Sequence, residues 1–216
     1  MTEVLLKGIL AYLLGSIVGG LVVGKLRGGV DIRRLGSGNA GGTNALRTQG
    51  KSFAFWVMLI DIGKGWVATH WVARWVVPGL FTGLDVDWLA AVCGIAVIVG
   101  HVYPVWYGFK GGKGVATLIG AVLGLDPSLL VPMLMTWLIA VIVFGFVGLA
   151  SILGALALAV TAAARTTGPQ SALLGFGVFA AVLIAFTHRS NISRMLGGTE
   201  PRARRLWLFG TRRGGA

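Results

Sequence analysis

SLLVPMLMTWLIAVIVFGFVGLASILGALALAVTAAA, Ser128 to Ala164, runs for 37 residues without a charge. A helix crosses a hydrocarbon core of roughly 30 Å with about 20 apolar residues. The stretch is therefore too long for one crossing and suits two, with Gly145 and Gly148 marking the turn. Working outward, apolar blocks at Val4 to Gly24, Ser52 to Val77, Trp88 to Trp106, Gly114 to Leu125 and Ser171 to Thr187 bring the expected crossings to seven. The fourth is short, because Gly114 to Leu125 rises only about 18 Å as a helix. It must start below the membrane surface, where irregular backbone is tolerated only against protein or a cavity. GFKGGKG, just before it, is expected to floor a polar pocket.

The whole chain agrees with this reading. Of 216 residues, 56% are hydrophobic and 12% charged, and the mean hydropathy is +0.83. A soluble domain carries about a quarter of its residues charged, and a disordered chain needs charge to stay expanded, so both are excluded. The expected fold is an all-α integral membrane protein, one transmembrane domain over residues 1–216 with a basic tail at 202–216. The first block is followed by Lys25 and Arg27, where a secretory signal carries its charge in front, so it reads as a retained helix with its N-terminus outside. That orientation puts fifteen Lys and Arg on the cytoplasmic side and only Lys7, Arg74 and Arg165 outside, in keeping with the positive-inside rule.

Nineteen Lys and Arg against seven Asp and Glu give a net charge of +12, which favours anionic partners without choosing among lipid, phosphorylated metabolite and nucleic acid. Three polar segments sharpen the choice. GSGNAGGTNALR (Gly36–Arg47), GFKGGKG (Gly108–Gly114) and HRSNISRMLGGTEP (His188–Pro201) all fall on the expected cytoplasmic side. The first contains G-x-G-x-x-G at Gly36, Gly38 and Gly41, but a dinucleotide site needs a βαβ unit and its neighbours here are membrane helices. The second misses a P-loop, since Tyr107 stands where a glycine is required and Gly114 replaces Ser/Thr. What both share with phosphate loops is physical: glycine leaves amide N–H groups uncovered, and the following helix N-terminus favours an anion. Ser37, Asn39, Thr43 and Asn44 add neutral donors, Arg47 a planar fork and Lys113 a mobile charge.

Asp61 and Lys64, three residues apart, share a helix face and either pair structurally or face substrate. His188 ends the seventh helix with Asn191 a turn further on, placed for a general base or a phosphate donor. Arg189, Arg194 and the tail through Arg213 read as lipid-facing anchors. His70 and His101 lack partners at metal spacing, and Cys93 reads as a packing residue, so no metal and no cofactor is expected.

Taken together the three segments resemble the bacterial membrane glycerol-3-phosphate acyltransferases that use acyl phosphate as donor. GSGNAGGTNALR, HVYPVWYGFKGGKGVAT and HRSNISRMLGGTEP correspond to the family's motifs in order, DIGKG at Asp61–Gly65 also matches, and the resemblance covers nearly the whole chain. Ala40, Gly42 and Gly148 depart from residues common in the family, whereas Ser151 is retained. The resemblance implies acyl transfer from a fatty acyl phosphate to the 1-hydroxyl of glycerol 3-phosphate, in a bacterial inner membrane, with the site facing the cytoplasm. By motif position Ser37, Arg47, Lys113, His188 and Asn191 form the catalytic group, and Gly38, Asn39, Thr43, Asn44, Gly111, Gly112, Gly114, Ser151 and Glu200 contact substrate. The base is His188 or a substrate phosphate oxygen. Expected partners are the two phosphate substrates, membrane lipid and an enzyme supplying acyl phosphate, with no nucleic acid. H-x-x-x-x-D, which thioester-dependent acyltransferases carry, is absent. A small transporter of a phosphorylated metabolite is the alternative; it would carry polar residues through to the outer half and an internal repeat.

Overall fold

The computed structural model describes residues 2–76, 79, 83–165, 171–203 and 206–209. Among these every regular element is helical. They fall into two compact units, Met1–Pro127 and Ser128–Ala216.

The first unit holds α1 (Thr2–Gly15), α2 (Gly19–Leu26), α3 (Gly42–Gln49), α4 (Lys51–Trp66), α5 (Val86–Val102) and α6 (Val115–Leu125). α4 runs on as a π-helical turn over Val67–Val72. α1 packs along α5 and α4 along α6. Both pairs approach so closely that a Cβ on Gly15 or Gly100 would overlap main chain of Val97 or Tyr12, and one on Gly65 or Gly120 would overlap main chain of Thr117 or Ile62. This is the small-residue packing expected of helices in lipid. Gly20 and Gly24 serve otherwise, seating the backbone of Ala40 in the first polar segment and of Val30 just ahead of it.

The first apolar block is not the single helix expected, because α1 and α2 meet at a 46° bend. A break exposes main-chain groups that must find partners. Lys64 Nζ donates to Gly15 O at 2.9 Å and Ile17 O at 2.8 Å, and Asp61 Oδ1 accepts from Gly19 N at 3.0 Å. Asp61 and Lys64 themselves pair at 2.9 Å, both buried. Of the two readings left open by the sequence, the structure displays the ion pair, which plugs the break. Glu3 and Lys7 are likewise a buried pair, 8% and 2% exposed and 2.7 Å apart, with Lys7 Nζ also donating to Ala73 O at the end of the π-turn. Cys93 is buried, its Sγ 3.8 Å from Lys7 O.

The second unit holds α7 (Leu130–Phe144), α8 (Val147–Arg165), α9 (Ala172–Thr187) and α10 (Arg189–Leu196). Gly145 makes the α7–α8 turn in the left-handed region, φ +78°. Gly148 does not turn the chain; it lies in the first turn of α8, where a Cβ would sit 2.8 Å from Asn191 Cβ. The segment expected as a basic tail is docked where it is described. Ala203 N and Leu208 N donate to Gly145 O and Ile142 O, Trp207 Nε1 donates to Val143 O, and the Arg202 guanidinium stacks on the Phe146 and Trp207 rings. Carbonyls left over at the end of α7 account for this docking. The rest of the tail lies outside the described residues.

Among the described residues three helical stretches are long and apolar enough to cross a membrane, Val86–Tyr107, Pro127–Phe144 and Val147–Arg165, and five if the bent pairs α1–α2 and α9–α10 each count as one span. α6 has 11 residues, the short apolar helix expected.

Candidate active site

The first polar segment is organised around one side chain. Asn44 sits in the first turn of α3 and is 1% exposed. Its Nδ2 donates to the carbonyls of Ile32, Leu35 and Asn39 at 2.9–3.0 Å, and its Oδ1 accepts from Ser37 N at 2.9 Å. The sequence reading made Asn44 a donor to substrate. Its amide is instead committed to the loop, which it winds so that Ser37 is exposed on the rim. Gly36 and Gly38 take positive φ on either side of Ser37, and a Cβ on Gly36 would overlap Asn44 Oδ1. Asn39 is half-buried, Thr43 is exposed at the start of α3, and no side chain caps that helix. Arg47 is exposed one turn further on.

The second segment differs from an open amide cradle. Gly111 N and Gly112 N donate to Val102 O and His101 O, which satisfies the end of α5 and leaves neither N–H for a ligand. Their lack of side chains has a packing cause: a Cβ on Gly111 would overlap His101 O, and one on Gly112 would overlap the His101 ring. Ligand contact through the amides of Gly111 and Gly112 is therefore not available. What remains is Lys113, half-buried, and Gly114, which begins α6 with φ +89° and no side-chain cap. A helix N-terminus next to a lysine is a favourable place for a phosphate.

Arg33, not singled out by the sequence, joins the two segments. Asp31 caps the 3-10 turn Ile32–Arg34 and holds the Arg33 guanidinium, Nη2 to Oδ2 at 2.9 Å. Arg33 Nη1 then reaches Tyr107 O at 3.2 Å and Lys110 O at 2.8 Å. The Arg33 hydrogen bond lowers the Asp31 pKa below the usual carboxylate value and the same bond raises that of Arg33. The segments carrying Ser37, Arg47 and Lys113 are thus clipped together within the first unit. The signal was an acid and a base two apart, D-x-R, just ahead of the glycine-rich run.

The second unit carries the other candidates. His188 lies at the 53° bend between α9 and α10, 4% exposed. Its Nδ1 is 2.8 Å from Ile184 O, a carbonyl that can only accept, so Nδ1 carries the proton and Nε2 is the basic nitrogen. Asn191 Nδ2 donates to Glu200 Oε1 at 2.6 Å and Arg194 Nε to Glu200 Oε2 at 2.6 Å. Two expectations change. Glu200, read as a substrate contact, spends both oxygens orienting Asn191 and Arg194. Arg194, read as a lipid anchor, is held in that ion pair. Ser151 is buried and donates to Val147 O of its own helix at 2.9 Å.

The fold is a set of apolar helices with two glycine-rich polar segments clipped together by Arg33. The comparisons make the class definite. Residues 5–198 match the glycerol-3-phosphate acyltransferase family model. Proteins named glycerol-3-phosphate acyltransferase from Synechococcus sp. (strain CC9902) and Bordetella pertussis (strain Tohama I) are 40% and 42% identical, covering 89% and 90% of this chain and 92% and 89% of their own. Two crystal structures of PlsY (YgiH), an integral membrane glycerol 3-phosphate acyltransferase, superpose with TM-scores of 0.79 for the glycerol 3-phosphate form and 0.77 for the lysophosphatidic acid form. They are 36% and 35% identical and cover 92% of this chain and 94% of theirs. This chain belongs to the glycerol-3-phosphate acyltransferase family and is an acyltransferase of lipid synthesis.

Proposed function

We propose that the chain takes its acyl group from a fatty acyl phosphate and passes it to the 1-hydroxyl of glycerol 3-phosphate, releasing 1-acylglycerol 3-phosphate and inorganic phosphate. The observation that supports this reading is the Arg33 clip, which ties the segment carrying Ser37 and Arg47 to the segment that leads into Lys113 and the start of α6. Bringing two phosphate groups together demands concentrated positive charge and amide donors. An acyl phosphate is already activated, so no serine or cysteine nucleophile is needed. The hydroxyl oxygen attacks the acyl carbon, a base takes its proton, and the bond to the phosphate oxygen breaks as that phosphate leaves. Arg47 and Lys113 neutralise phosphate charge, Ser37 donates a hydrogen bond, and Asn191, fixed by Glu200, orients a substrate oxygen. His188 Nε2 or a substrate phosphate oxygen serves as base.

The same reading holds that seven segments cross a bacterial inner membrane, α1–α2, α4 with its π-turn, α5, α6, α7, α8 and α9. The N-terminus lies outside and the polar loops lie on the cytoplasmic side, where a soluble phosphate ester and an acyl phosphate supplied by another enzyme arrive. The test is purified protein in detergent given acyl phosphate and glycerol 3-phosphate, with released phosphate and acylated product measured against an acyl-CoA control. Release with acyl phosphate alone as donor is expected; activity only with the thioester would overturn the donor assignment. His188→Ala is expected to lower kcat by about a hundredfold or more, and near-full turnover would leave the substrate phosphate as the base.

A further inference from the structure

We infer that His101 is a positioning residue for the Lys113 loop, set in place by Lys64 and acting on phosphate binding without touching substrate. The inference rests on the reading of that loop as a phosphate site. His101 is 2% exposed at the end of α5. Lys64 Nζ, a donor only, lies 2.9 Å from His101 Nδ1, closer than Asp61 Oδ1 at 3.3 Å. Lys64 and Asp61 thus hold the Nδ1 edge of the ring between them. The same Lys64 also holds Gly15 O and Ile17 O, so the ring is tied to the backbone at the α1–α2 break.

The other edge of the ring faces the loop. The three atoms nearest to a Cβ built on Gly112 all belong to this ring, Nε2 closest, then Cε1 at 3.0 Å and Cδ2 at 3.2 Å. Gly112 N donates to His101 O at 3.1 Å, so ring and carbonyl of one residue grip one glycine directly before Lys113. A shift of the ring must therefore move the residue that carries the charge. Displacements well below 1 Å matter when a charge has to meet a phosphate.

A double-mutant cycle tests this. Gly112→Ala collides with the ring, and is expected to raise the KM for a phosphate substrate about tenfold or more with a smaller change in kcat, as overpacking by one methyl group shifts the loop. His101→Ala frees the loop and raises the same KM. In the double variant the new methyl group occupies space the ring has vacated, so KM is expected to fall to within about threefold of the His101→Ala value. His101→Asn, which keeps a polar side chain beside Lys64 and Asp61 but lacks Nε2, is the replacement if His101→Ala does not fold, with the same rescue expected. Effects that simply multiply would overturn the inference. Lys113→Ala separates the two claims. If it leaves the KM of both phosphate substrates unchanged, the phosphate reading fails and this inference with it; if it raises KM while the cycle is additive, only the role of His101 fails.

Discussion

Substituting Asn44 isolates what the first loop needs. Asn44→Ala removes four hydrogen bonds at 2.9–3.0 Å. The bond to Ile32 O is buried, so that carbonyl loses its partner with no water to replace it, at a cost of about 1–3 kcal/mol. The other three lie nearer the surface and can rehydrate, about 0.5–1.5 kcal/mol each. The loop as a whole is therefore destabilised by roughly 2.5–7.5 kcal/mol, enough to lower the equilibrium constant for holding Ser37 in place by about two orders of magnitude or more. Asn44→Asp is the sharper variant. It has the same shape, yet sets a carboxylate oxygen against three carbonyl oxygens where an NH2 group stood, so it should be no better than Ala despite keeping the acceptor for Ser37 N. The assay is steady-state acyl transfer in detergent, with thermal inactivation alongside. Loss of activity with a modest change in overall unfolding is expected, because the damage is local. An Asn44→Asp enzyme within about threefold of the unaltered kcat/KM would refute the loop-shaping argument.

Lys64→Met strands a buried carboxylate, whose Oδ2 already has no hydrogen-bond partner among the described residues, together with the carbonyls of the helix break. It should cost about 3–5 kcal/mol in thermal or denaturant unfolding, and Asp61→Leu added to it should restore part of the loss. Asp31→Asn tests the clip by pH. The Asp31 pKa is depressed in the folded protein, so its stabilisation is complete above the ordinary carboxylate value of 3.8 and is lost as pH falls through the lowered one. The difference between Asp31→Asn and unaltered protein in residual activity after acid exposure should be constant at neutral and mildly acidic pH and shrink below that value; a difference that grows on acidification would contradict the pairing.

The membrane class, the turn at Gly145 and the short α6 were legible because each follows from length and apolarity, which act locally. The Asp61–Lys64 pair was legible too, since i,i+3 spacing on a helix brings side chains together. The break at Ser16–Val18 was not: Gly15, Ser16, Gly19 and Gly20 weaken the helix there, but the groups that satisfy the opened backbone, Lys64 and Asp61, lie in another helix. The same holds for the loops. Residue type suggested that Asn44, Gly111 and Gly112 face a ligand, yet a loop needs its own backbone groups satisfied before it can bind anything, and these residues do that. Arg33 was hidden by its setting among many basic residues, and Glu200 by its motif position, which hid the fact that its two oxygens serve Asn191 and Arg194.

The backbone contacts of Gly15 and Gly100 between α1 and α5, and of Gly65 and Gly120 between α4 and α6, invert the usual map of mutational tolerance. In a soluble core a methyl group too many is absorbed by neighbouring side chains. Here the neighbour is main chain, which has nowhere to retreat. Random variation of this enzyme should therefore strike hardest at a handful of glycines deep in the greasiest helices, while an exposed helix position such as Gly175, with nothing within 4 Å of a built Cβ, lacks any such crowding.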